Sequence, residues 1–87
     1  MFQTAQKEEP ALYNSRIIDA YIKLIRRKYP DIDVRKLLES AGMKPQEVDD
    51  QGHWFTQSQV DRFYEKAVEL TGNDNIAREA GRYAASP

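Results

Sequence analysis

Eighty-seven residues, 40% hydrophobic and 31% charged, suffice for one globular domain and are too few for two. There is no cysteine and a single histidine, His53, which excludes disulfides, thiolate metal sites and a self-sufficient zinc site. The net charge of −1 conceals an asymmetry: residues 16 to 36 carry seven Lys/Arg against three Asp/Glu, a net of +4, and residues 39 to 50 a net of −3. That is a dipolar surface, not the uniformly basic one of a nucleic-acid-binding domain.

Residues 1 to 9 read as a loose leader without the basic start and apolar centre of a secretory signal. No apolar run approaches the roughly 20 residues of a membrane helix, so no membrane is expected and a cytoplasmic location is the simplest one. Residues 10 to 87 are read as one helical domain.

The first helix is predicted from Pro10 to Tyr29, with proline in the first turn, where its missing N–H is harmless. At 100° per residue, Tyr13, Leu24, Ile17, Tyr21, Ile25, Ile18, Tyr29 and Ile22 sweep about half the circumference. Arg16, Asp19, Lys23, Arg26 and Arg27 take the other side. So wide an arc belongs to a central helix, or to one that also meets another chain. Pro30 ends it.

A second helix starts at the N-cap Asp33, buries Val34, Leu37, Leu38 and Ala41, and stops at a left-handed Gly42, with Met43 folding back. Lys44 to Val48 adds at most one turn, and Asp49-Asp50-Gln51-Gly52 reads as a loop. The next helix has the clearest start: Thr56 and Gln59 form a capping box, Phe55 and Val60 a hydrophobic staple. Val60, Phe63, Tyr64, Ala67 and Leu70 then follow helical spacing to Gly72. A last segment opens at Asn73 or Asp74 and carries Ile76, Ala77, Ala80, Tyr83 and Ala84; Ala80-Gly81 is a low-bulk spot where another backbone can approach closely. No alternating strand pattern persists anywhere. The expected fold is all-α, a small bundle of four short helices, five if 44–48 contributes its turn. The helical pattern still runs at Ser86-Pro87, which reads as the edge of a fragment of a longer protein.

Little chemistry is on offer. His53 beside Trp54 and Phe55 has no nucleophile, second ligand or orienting acid near it in sequence, and is read as a loop residue leading into the staple. Glu47, Asp49 and Asp50 lack the alternating oxygen ligands and distal glutamate of a calcium loop, and Asn73-Asp74-Asn75 is explained as a helix start. Arg26-Arg27-Lys28 complements a helix C-terminus. The Gly42 turn has the outline of a helix-turn-helix, but the segment that would read bases carries Pro45, Glu47, Asp49 and Asp50. No metal, no cofactor and no catalytic residue is expected. Trp54, Phe55, Phe63 and Tyr64 are candidates to line a small-molecule pocket or an interaction surface; Arg16, Lys23, Arg26 and Arg27 form a basic face.

The run Leu37-Leu38-x-x-Ala41-Gly42-Met43, the acidic loop, Phe55-Thr56-Gln57-x-x-Val60, then Phe63, Ala67, Leu70-Thr71-Gly72-Asn73-Asp74, Ile76-Ala77 and Gly81 resemble the helical opening of the effector-binding domain in bacterial AraC-type transcriptional regulators. Similar leader modules precede sensory domains in bacterial histidine kinases and cyclases. The resemblance spans residues 32 to 83 and rests on caps, a turn and a core stripe. It implies a non-catalytic module in signalling, partnered by a downstream sensory or output domain or by a second copy of itself; it transfers no effector-contacting residue. The DNA-binding helices of such regulators are absent.

Overall fold

The computed structural model describes residues 9–85, with side-chain surroundings through residue 82. Residues 1–8 of the leader, the core positions assigned to Tyr83 and Ala84, and Ser86-Pro87 lie outside that description. The order is β1 (Ala11–Asn14), α1 (Ser15–Lys28), α2 (Val34–Ser40), α3 (Pro45–Asp49), β2 (Trp54–Thr56), α4 (Gln57–Thr71) and α5 (Ile76–Ala85).

The described residues are mainly helical, with five helices, but the all-α expectation needs correction: β1 and β2 form an antiparallel ribbon. Residues 11 to 14, assigned above to the first helix, pair Ala11 with Thr56, Tyr13 with Phe55 and Asn14 with Trp54, and Leu12 is the extra residue of a bulge. Strands of four and three residues are too short to show alternation. Their stability comes from the partner strand and the core beneath it, neither of which is local in sequence. Helix α1 starts instead where Asn14 caps it, its side-chain oxygen accepting from the Arg16 N–H at 3.1 Å.

The other termini follow their chemistry. Asp33 Oδ1 accepts from Lys36 N. At the end of α2, Gly42 adopts φ 71°, Met43 N donates to Leu38 O and Gly42 N to Glu39 O, the two bonds of a Schellman motif. Pro45 opens α3, and Glu47 Oε1 accepts from Lys44 N. Thr56 and Gln59 exchange both bonds of the capping box, at 3.2 and 3.0 Å, and Gln59 Nε2 reaches across to Gly42 O, tying α4 to the turn after α2. Thr56→Ala removes one of those acceptors and is expected to lower stability by roughly 1 kcal/mol. Chemical denaturation measures it; an unchanged midpoint would mean the box is not holding the start of α4. Gly72, at φ 67°, closes α4.

The core runs along α1. Ile18, Ile22, Leu24 and Ile25 meet Leu37, Leu38, Ala41, Met43, Val48, Phe55, Phe63, Ala67, Ile76 and Ala80, and the Tyr21 ring stands edge-on to Phe63 with centroids 5.3 Å apart. The wide arc is therefore that of a central helix, contacted by α2, α3, α5 and β1. Its enclosure is incomplete, because Ile17 remains 43% exposed. No helix among the described residues is long and apolar enough to cross a membrane.

Candidate interaction surfaces

The candidate aromatic residues separate. Phe55 and Phe63 are fully buried and serve as core, offering a ligand no surface. Tyr64 is half-buried, its hydroxyl donating to Asp74 O at 3.2 Å, which braces the loop before α5. Trp54 alone projects, 50% exposed on β2. His53 stacks edge-on against Phe55 with centroids 4.7 Å apart, and its backbone is committed: its N–H donates to Asp50 O and its carbonyl accepts from Ser15 N.

The 49–52 loop is a structural latch for the start of α1. Ser15 is fully buried, and its hydroxyl donates to Asp50 O at 2.6 Å. Asn14 Nδ2 donates to Gln51 O at 2.8 Å, and Asp50 Oδ1 accepts from Gly52 N. The loop's acidic side chains thereby sit beside the basic face of the same chain: Arg16, Asp19, Lys23, Asp49 and Gln51 share one cleft. Lys23 pairs with Asp19 at 3.0 Å, and Arg16 reaches Gln51 Oε1 at 3.5 Å. Arg26 and Arg27 are exposed. The two oppositely charged patches are neighbours within one subunit.

No group of three or more His, Cys, Asp or Glu among the described residues is arranged to hold a metal ion. The helix-turn-helix outline exists at α2–α3, but its second helix is five residues long and carries Glu47 and Asp49.

A polar clasp fixes α5. Lys28 Nζ lies 2.9 Å from Glu79 Oε1, while Asn73 Nδ2 contacts both Glu79 Oε2 and the Tyr29 hydroxyl at 3.1 Å. The hydrogen bond from Lys28, then that from Asn73, holds the Glu79 carboxyl below its ordinary pKa; the bond to Glu79 raises that of Lys28. A lowered carboxyl pKa contributes stability above the unfolded value, lost as pH falls through the folded one. Glu79→Gln is therefore expected to lose less stability than the parent between about pH 5 and pH 3. Thermal melts across that range check it, and parallel acid limbs would show that the clasp contributes nothing.

Among the described residues three surfaces expose apolar groups, one of them a cleft of about 350 Å³ in which Leu70, 43% exposed, meets Ile32 and Leu37. On the ribbon, Leu12 and Trp54 are 57% and 50% exposed, and Ile17 lies one turn into the helix that continues β1. The second surface is a groove of about 240 Å³ between α1 and α5, lined by Ile17, Ala20, Tyr21, Ala77, Ala80 and Gly81, with Arg16 at its edge. The sequence places Ile17 and Tyr21 on the apolar arc of the first helix and marks Ala80-Gly81 as a low-bulk spot; Ala77, expected in the core, is exposed here. Tyr21 is only 9% exposed, and its hydroxyl has no hydrogen-bond partner among the described residues. Burial raises its pKa, with a smaller contribution from Tyr64.

No family model matches the chain, and comparisons with curated proteins and with solved structures return no match.

Proposed function

We propose that the chain is a non-catalytic interaction module of a bacterial signalling protein, working by packing on a sensory domain or on a second copy of itself. The observation that carries this reading is the exposure of large apolar side chains, Leu12 and Trp54 on the paired strands and Ile17 in the first turn of α1. Single exposed apolar residues are ordinary, but several large ones on a small domain mark a contact surface. The resemblance of residues 32 to 83 to the opening of AraC-type effector-binding domains, and to leader modules of sensor kinases and cyclases, supports the signalling context. The alternative, a small-molecule effector segment, draws little from the aromatic quartet, because Phe55 and Phe63 are enclosed. The α1–α5 groove, about 240 Å³, is below the roughly 300–1,000 Å³ of ordinary ligand pockets, and the cleft beside Ile32, Leu37 and Leu70, about 350 Å³, is at its lower end.

Trp54 is the only tryptophan, so its fluorescence reports on the ribbon alone. In dilute solution it is expected to emit as a solvated indole. As concentration rises into the high micromolar range, emission should move to the blue and acrylamide quenching should fall. An emission maximum and quenching constant that ignore concentration would count against association through this surface.

A further inference from the structure

The cleft between α1 and the end of α3 holds charges of both signs, and two of them are left over. It measures about 260 Å³, and its lining includes Arg16, Asp19 and Lys23 of α1, Val48 and Asp49 of α3, and Gln51. Lys23 and Asp19 pair with each other at 3.0 Å. Arg16 makes one long hydrogen bond, to Gln51 Oε1 at 3.5 Å, which leaves most of its guanidinium donors unused. The Asp49 carboxylate has no hydrogen bond or ion pair among the described residues, so it does not reach Arg16 across the cleft. The backbones that carry the two groups are tied in place. Ser15 bonds to Asp50 O through its hydroxyl and to His53 O through its N–H, and Asn14 Nδ2 bonds to Gln51 O. A guanidinium and a carboxylate on different elements thus share one small cleft without neutralising each other.

We propose that this cleft binds a free α-amino acid. A carboxylate and an ammonium on one carbon complement the two unsatisfied groups. Arg16 takes the carboxylate with its paired N–H donors, Asp49 takes the ammonium, and Gln51 Oε1 is a second acceptor for it. The lining carries two cations and two anions, so an ion of a single sign meets as much repulsion as attraction, whereas a zwitterion can place each end against its opposite. The volume lies below the roughly 300–1,000 Å³ of ordinary ligand pockets, which limits the ligand to a small one. Arg16 and Asp49 are exposed, and exposed charge pairs are weak, so the expected dissociation constant is on the order of 1 mM. The inference goes beyond the interaction-module reading and does not depend on it.

The test uses the 87-residue chain, labelled with nitrogen-15 and titrated at low salt and constant pH with glycine and with L-alanine. Acetate and methylamine, each carrying one of the two charges, serve as comparison probes at matched ionic strength. Amide resonances of Arg16, Asp19, Asp49 and Gln51 are expected to shift saturably with both amino acids. Acetate and methylamine should bind at least about tenfold more weakly, and added salt should weaken the amino acids. Arg16→Gln and Asp49→Asn should each weaken binding at least about tenfold with the melting temperature nearly unchanged, because both side chains are exposed. Glu65→Gln, an exposed carboxylate outside the cleft, should bind as the parent does. No saturable shift with either amino acid, equal affinity for acetate or methylamine, shifts confined to residues elsewhere, or unaltered binding by folded Arg16→Gln and Asp49→Asn would overturn the proposal.

Discussion

Phe55→Ala is expected to destabilise the domain by about 3–5 kcal/mol, the usual range for removing an enclosed aromatic ring. Phe55 is fully buried, and it joins three parts of the molecule. It belongs to β2 and pairs with Tyr13 of β1, it immediately precedes the N-cap of α4, and its ring receives the edge of His53. Truncation leaves a void where the ribbon meets the bundle, and the surrounding backbone is held by the Ser15–Asp50 latch and cannot collapse freely. For 87 residues, total stability is on the order of 4–13 kcal/mol, so the loss is a large share of it. Urea denaturation at equilibrium checks this. A loss under about 1 kcal/mol would mean that the ring is not part of a close-packed core.

Ile76→Ala should cost about 2–5 kcal/mol, with a different signature. Ile76 is fully buried at the start of α5, which packs chiefly on α1. Apart from Ile76 and Ala80, the described attachment of α5 is the partly exposed Lys28–Glu79–Asn73 clasp, and ion pairs near the surface contribute little. Removing the isoleucine should therefore loosen α5 ahead of the rest. Native-state hydrogen exchange is expected to show amides of α5 losing protection while those in the middle of α1 keep theirs. Uniform loss throughout would show that α5 unfolds only with the whole domain.

The helix ends governed by local chemistry were legible in the sequence. Asp33, Gly42, Thr56 with Gln59, and Gly72 act through bonds to residues one to five positions away, so their types and spacing were sufficient. The ribbon was not legible, because Ala11–Asn14 are extended only by virtue of Trp54–Thr56, some forty residues later. Asn14 itself was a readable cap, masked by Tyr13, which falls on the same helical arc as Ile17 and Tyr21. The aromatic cluster misled for a related reason. Proximity in sequence does not say which face a residue takes, and on β2 Trp54 and Phe55 alternate between solvent and core. The α1–α5 groove depends on how two helices distant in sequence come together; its walls were legible as the wide arc holding Ile17 and Tyr21 and as the low-bulk Ala80-Gly81 step, but not their meeting.

The positions of the charges also bear on what self-association should look like. Asp49 and Gln51 share a cleft with Arg16, Asp19 and Lys23 of the same chain, and the exposed Leu12, Trp54 and Ile17 lie outside that cleft. Contact between copies is then apolar and should be nearly indifferent to salt. Sedimentation velocity of the parent chain and of Leu12→Ser/Trp54→Gln, across concentration and at two ionic strengths, tests this most directly. The parent is expected to shift toward a dimer in the high micromolar range at both salt levels, with the double variant remaining monomeric. A parent that is monomeric throughout, or a double variant that associates as the parent does, would contradict it.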